Sequence, residues 1–201
     1  LIIDAEEGYV GITANVQPVK TWNDVREVLA LLQKGDHGFA FVVLDTLSSL
    51  YTLCAQDFCK RNSIVSEMDM EYGKGTGNVR STFRNTLHAF FNLGVGIVMI
   101  AHEKQIEEKT RIGTFNKACA ALPDQVRGDV EGLCDIILYA TAEKGKDGKE
   151  TVVLKSAGTH EYIAGDRFGM LPASVAFAKD ANMFDVLAAP FKALTESKTN
   201  G

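Results

Sequence analysis

Two kinds of apolar pattern alternate along the chain. The first is the short unbroken run: Leu1-Ile2-Ile3, Phe39-Ala40-Phe41-Val42-Val43-Leu44, Val95 to Ala101, and Ile136 to Ala140. Runs of this kind suit strands buried on both faces, as in a parallel sheet. The second is helical spacing. It appears at Val25, Val28, Leu29 and Leu32, with Asn23 as the expected N-cap. It recurs at Leu47, Leu50, Tyr51, Cys54 and Phe58, and again at Val79, Phe83, Leu87, Phe90 and Phe91. Residues 9–20, 62–78 and 103–118 show no such period and read as loops, the first with some extended character. Pro123 to Gly132 reads as a short helix. Lys146-Asp147-Gly148-Lys149 is a hairpin signal, so Thr151 to Lys155 should return antiparallel. His160 to Ile163 reads as a further extended stretch. The tail from Phe184 to Leu194 is apolar enough to dock, with Pro190 preventing one uninterrupted helix.

Strands alternating with helices imply parallel βαβ units. The expected fold is therefore α/β, a mostly parallel sheet flanked by helices with an antiparallel hairpin at one edge. Three of the strands end in polar residues: Asp4-Ala5-Glu6, Asp45-Thr46 and His102-Glu103. In a parallel sheet these ends share one edge, which is where open α/β sheets bind ligands. A carboxylate for Mg²⁺, a second carboxylate to polarise a water and a neutral donor to sense a phosphate are what phosphoryl transfer to water requires. Each residue also has a plainer reading. Asp45 would start a turn or cap the next helix, Glu6 would be a solvated turn residue, His102 would be structural, and Glu7 competes with Glu6 for the same role.

Composition changes this picture little. The chain has 201 residues, 46% of them apolar and 23% charged, which fits a globular domain with a sizeable core. A net charge of −5 argues against coating nucleic acid by global charge and leaves local basic loops open. Cys54, Cys59, Cys119 and Cys134 form no C-x-x-C, so reduced thiols in the cytoplasm are expected. No apolar run approaches the ~20 residues of a membrane helix. The chain enters directly as an apolar strand at Leu1, without Met, so a fragment that has lost N-terminal sequence is expected.

The three strand ends together resemble a family. Ile2-Ile3-Asp4-Ala5-Glu6 is similar to the strand that carries the catalytic glutamate in RecA-type recombinases. Phe41 to Thr46 resembles their Walker B strand, and Ile97 to Glu103 the following strand, whose polar end senses the γ-phosphate. The histidine at that end, and Gly165-Asp166-Arg167-Phe168-Gly169-Met170-Leu171-Pro172, resemble phage-encoded RecA-like ATP-binding proteins, some linked to single-strand annealing. The resemblance covers residues 1–172 as a RecA-like core, leaving 173–201 as a partly helical tail.

The resemblance implies that Glu6 orients the attacking water and that Asp45 holds Mg²⁺ through water, with Thr46 beside it at the ATP site. It implies that His102 couples γ-phosphate occupancy to the next segment, and that Arg167 reaches a neighbouring protomer's nucleotide. It implies a homo-oligomeric ring or filament in the cytoplasm of an infected or lysogenic bacterial host. Single-stranded DNA would face residues 62–78 and 103–118. The second segment holds Lys104, Lys109, Arg111 and Lys117 against three glutamates, a net of +1, with Phe115 able to stack on a base.

One departure stands out. No G-x-x-x-x-G-K-[ST] occurs in the sequence, and Gly73-Lys74-Gly75-Thr76-Gly77 has the wrong spacing for one. Without such a loop, triphosphate affinity should collapse, so the chain alone is expected to bind ATP poorly. The expected function is a DNA-dependent ATPase in phage DNA recombination or annealing. The competing readings are a nucleotide-dependent scaffold without turnover and another P-loop enzyme such as a kinase or helicase loader.

Overall fold

The structure is a computed structural model that describes residues 1–9, 13–111, 113–144, 150–177, 185, 187 and 188. The expected turn at Lys146–Lys149 and most of the expected apolar tail lie outside these residues. The chain divides into two units, Leu1–Glu103 with Ala120–Val130, and Lys104–Cys119 with Glu131–Gly201.

The first unit holds β1 (Ile2–Asp4), β2 (Val16–Pro18), α1 (Trp22–Leu32), β3 (Phe41–Asp45), α2 (Leu47–Asn62), α3 (Lys74–Phe91) and β4 (Gly96–Met99), and most of α4 (Asp124–Leu133). The four strands form one parallel sheet in the order β2-β1-β3-β4. This is the expected α/β architecture, with the apolar runs as strands and the periodic segments as helices. Ile3, Val42 and Leu44 alternate onto one face and are fully buried there. On this side α2 packs on β3 and α3 on β4. Trp22, Phe83 and Tyr51 fill the helical layer, with ring centroids 5.9 and 5.4 Å apart along the series.

Two local expectations are corrected. Thr21, not Asn23, caps α1: its hydroxyl accepts from the Asp24 N–H, and Asp24 accepts in return from the Thr21 N–H. Residues 62–78 are not a loop throughout. They form two 3₁₀ turns, Glu67–Asp69 and Glu71–Gly73, and then enter α3 at Lys74. Gly75 is a glycine because a Cβ there would lie 2.0 Å from the Glu67 carbonyl oxygen.

The second unit carries nearly all of β5 (Glu103–Thr110), together with β6 (Gly113–Ala120) up to Cys119, β7 (Ile136–Ile137), β8 (Tyr139–Lys144), β9 (Glu150–Lys155), β10 (Gly165–Asp166) and β11 (Ser174–Phe177). Strands β5 and β6 pair with each other. The segment expected as a loop over 103–118 is therefore mostly strand, in Glu103–Thr110 and from Gly113 on, and polar side chains on both faces of these strands leave no period to read. The expected hairpin is present, β8 pairing antiparallel with β9 from Tyr139↔Lys155 to Lys144↔Glu150. With β11 it forms a sheet of its own, ordered β11-β9-β8. The apolar run from Ile136 is divided, since β7 pairs instead with β10.

Candidate active site

The C-terminal tips of β1, β3 and β4 lie side by side, because Asp4 pairs in register with Asp45 and Leu44 with Met99. Each tip adds a specific device. Asp4 is buried, and its Oδ1 accepts the backbone N–H groups of Glu6 (2.8 Å) and Glu7 (2.9 Å). This Asx turn reverses the chain and sets the direction in which Glu6 leaves it. Glu7 adopts a left-handed backbone, φ 58°, and pairs with Lys20 in solvent at 2.7 Å. Of the two adjacent glutamates, Glu6 is the one that reaches the other strand tips.

The Glu6 carboxylate gathers three donors. Its Oε1 accepts from the Thr46 hydroxyl at 2.5 Å and the Ser49 hydroxyl at 2.8 Å. His102 Nε2 lies 3.1 Å from both oxygens. The hydrogen bonds from Thr46, then Ser49, hold the Glu6 carboxyl below its ordinary value; partial burial opposes them, and His102 adds to the lowering. With Glu6 ionised, the His102 nitrogen that faces it carries the proton. Among the described residues Oε2 touches only His102, which leaves lone-pair capacity for a further donor.

Asp45 sits beside this cluster and is not consumed by the helix that follows. The cap of α2 is Thr46, whose hydroxyl accepts from the Ser49 N–H at 3.5 Å. That removes the plainest reading of the aspartate. Its Oδ2 instead accepts a hydrogen bond from the Tyr9 hydroxyl. Burial, the hydrogen bond to Asp45 and the charges of Asp45, Asp4 and Glu6 push the Tyr9 phenol up to about 12.

Glu6, Asp45, Thr46 and His102 are thus brought to one edge. Ser49 and Tyr9 were missed. Ser49 had a readable signal, one turn beyond Thr46 at the start of a helix; Tyr9, in a short glycine-flanked segment, had none. The remaining candidates lie in the second unit. Arg167 donates to the Asp135 carboxylate at 2.8 Å and to the Gly132 carbonyl at 3.2 Å. On the β5–β6 hairpin Lys117 pairs with Glu108 and Lys109 with Glu107, while Arg111 is exposed at the connection. Lys104 lies on β5, and Phe115 packs edge-on against His160.

Oxygen donors dominate the edge, which suits a hard cation. Among the described residues no group of three His, Cys, Asp or Glu could hold a metal alone. Mg²⁺ keeps several waters and takes one or two carboxylates plus phosphate oxygens. Asp45 fits that role. Among the described residues the phosphates find no glycine-rich cradle, since Gly73 is the N-cap of α3 and Lys74–Gly77 form its first turn. No helix among the described residues is long and apolar enough to cross a membrane.

Comparison with known proteins agrees with the geometry. No curated protein and no solved structure matches the chain. A profile of the AAA domain family matches residues 1–168, a span that contains every residue of the site. AAA domains as a class bind ATP with Mg²⁺. The chain belongs to this family, and is a nucleotide-binding protein of the P-loop, AAA-type ATPase class.

Proposed function

We propose that this protein is a DNA-dependent ATPase of phage DNA recombination or single-strand annealing, in which Glu6 is the general base. The observation that carries the reading is the Glu6 carboxylate itself. It is ionised, fixed by Thr46 and Ser49, linked to His102, and one strand from Asp45. In hydrolysis, water attacks the γ-phosphorus of ATP, the bond to the β-bridging oxygen breaks, and ADP and phosphate leave. Glu6 Oε2 accepts the water's hydrogen bond and takes its proton. His102, three residues beyond β4 and in contact with Glu6, would couple γ-phosphate occupancy to the segment that follows it. Asp45 would hold Mg²⁺ through water, where the cation neutralises phosphate charge.

Glu6→Gln in the natural protein should lower ATP turnover about 10²-fold or more and spare nucleotide binding. Measured by phosphate release and by nucleotide titration, that split separates an ATPase from a scaffold, in which the change would alter little. Stimulation of the turnover by single-stranded DNA distinguishes the recombination reading from a kinase or helicase loader.

The β5–β6 hairpin is the proposed DNA surface, with Lys109 and Arg111 at its turn end. Replacing both with Ala should reduce the salt slope of single-stranded DNA binding by about one to two, as expected for lost phosphate contacts. An unchanged affinity and slope would take the hairpin off the DNA surface.

A further inference from the structure

We infer that Tyr9 sets the cation affinity of the site by competing, through its hydroxyl, with a metal-bound water for Asp45. The inference rests on the reading of Asp45 as the Mg²⁺ carboxylate and concerns what that carboxylate does before the cation arrives.

Three observations converge on it. The Tyr9 hydroxyl donates to Asp45 Oδ2, the one side-chain hydrogen bond that Asp45 makes among the described residues. Asp4 pairs in register with Asp45, and Glu6 is held by Thr46, the residue after Asp45, so the hydroxyl lies beside the strand-tip carboxylates. A single neutral donor therefore occupies the neighbourhood that a hydrated divalent cation would favour most. Finally, Tyr9 is only part-buried, so its ring has solvent beside it.

The chemistry of the exchange is simple. A water on a divalent cation brings that cation's charge to the carboxylate, which a neutral phenol does not. When it arrives, it replaces the tyrosine on Asp45, and the phenol turns to solvent with its proton retained. Tyr9 is thus a positioning residue. It satisfies and orients Asp45 without cation, and its release reports cation entry. A purely structural tyrosine would act in the opposite sense, because its loss would loosen Asp45 and weaken the cation.

The test is Mn²⁺ titration with ATP present, followed by electron paramagnetic resonance, on the unmodified natural protein, Tyr9→Phe and Asp45→Asn. A second readout is the ¹⁹F signal of fluorotyrosine at position 9. The expected result is Mn²⁺ binding that tightens up to about tenfold in Tyr9→Phe, the loss of one hydrogen bond to a charged acceptor. It is also a ¹⁹F shift of residue 9 that follows Mn²⁺ saturation and is absent in Asp45→Asn. Equal or weaker binding in Tyr9→Phe, with Asp45→Asn still impaired, overturns the role of Tyr9 and leaves the metal reading intact. Mn²⁺ binding that ignores Asp45→Asn, or none in the unmodified natural protein, overturns the metal reading and the inference with it.

Discussion

The two faces of the parallel sheet are built differently. On the face under α2 and α3, Ile3, Val42 and Leu44 have no exposed surface. On the other, the register aligns Ile2, Val43 and Val98 in one row and Asp4 with Asp45 in the next. Val98 is 43% exposed, Ile100 40% and Phe41 36%. Phe41 lays its ring over Gly96, where a Cβ would come within 2.3 Å of it. One face carries the packing energy. The other carries Asp4 and Asp45, and its lighter packing leaves Asp45 within reach of a ligand while Asp4 is buried in its turn. Because side chains alternate along a strand, a single five-residue segment, Phe41–Asp45, serves both purposes.

The sharpest way to break this comparison is to cut a side chain from each face. Leu44→Ala should cost about 2–5 kcal/mol, since a buried leucine loses its transfer free energy and leaves a cavity. Val98→Ala, on the adjacent strand but the open face, should cost less than about 1 kcal/mol. Urea unfolding of both variants measures the difference. Equal losses would mean that the second face is as tightly packed as the first.

A smaller effect joins the faces at the sheet's end. Thr46 is buried, caps α2 and donates to Glu6. Thr46→Val keeps its shape and removes both bonds, at about 1–2 kcal/mol. It should also let the Glu6 carboxyl rise toward its ordinary value. A stability loss with no movement of Glu6 would show that the cap matters and the link to Glu6 does not.

The covered face is the part the sequence displays most clearly. The run ending at Asp45 and the spacing of Leu47, Leu50, Tyr51, Cys54 and Phe58 carry a period imposed by burial, and all five of these side chains are buried. The order of the strand tips then brings Glu6, Asp45, Thr46 and His102 together. Where burial is weak, the pattern has nothing to record. Strands β5 and β6 are held by backbone pairing, with only Ala118 and Cys119 buried among their described side chains, so no alternation marks them. Apolar spacing counted from Val25 points to Asn23 as the cap, whereas Trp22 is already inside the core and Thr21 caps the helix. Tyr9 meets Asp45 across 36 residues, a long-range contact that no local spacing encodes.

The smallest effect concerns two adjacent glutamates with different partners. Both Glu6 and Glu7 have carboxyls held below the ordinary value of 4.5. For Glu6 the largest cause is the Thr46 hydroxyl and for Glu7 the hydrogen bond with Lys20, an exposed ion pair. A carboxyl whose value is lowered by folding adds stability at pH above its unfolded value. That stability is lost as the pH falls through the lower, folded value. Both should therefore titrate in the acid limb of the stability curve. Salt separates them, because surface charges are screened within about 3 Å at about 1 M ionic strength while bonds to neutral hydroxyls are not charge pairs. In a carboxyl-carbon NMR titration, high salt should return Glu7 toward its ordinary value and leave most of the Glu6 shift in place. If salt relaxes Glu6 equally, charge rather than the two hydroxyls holds it down, and the base would be set by His102 instead of by the first turn of α2.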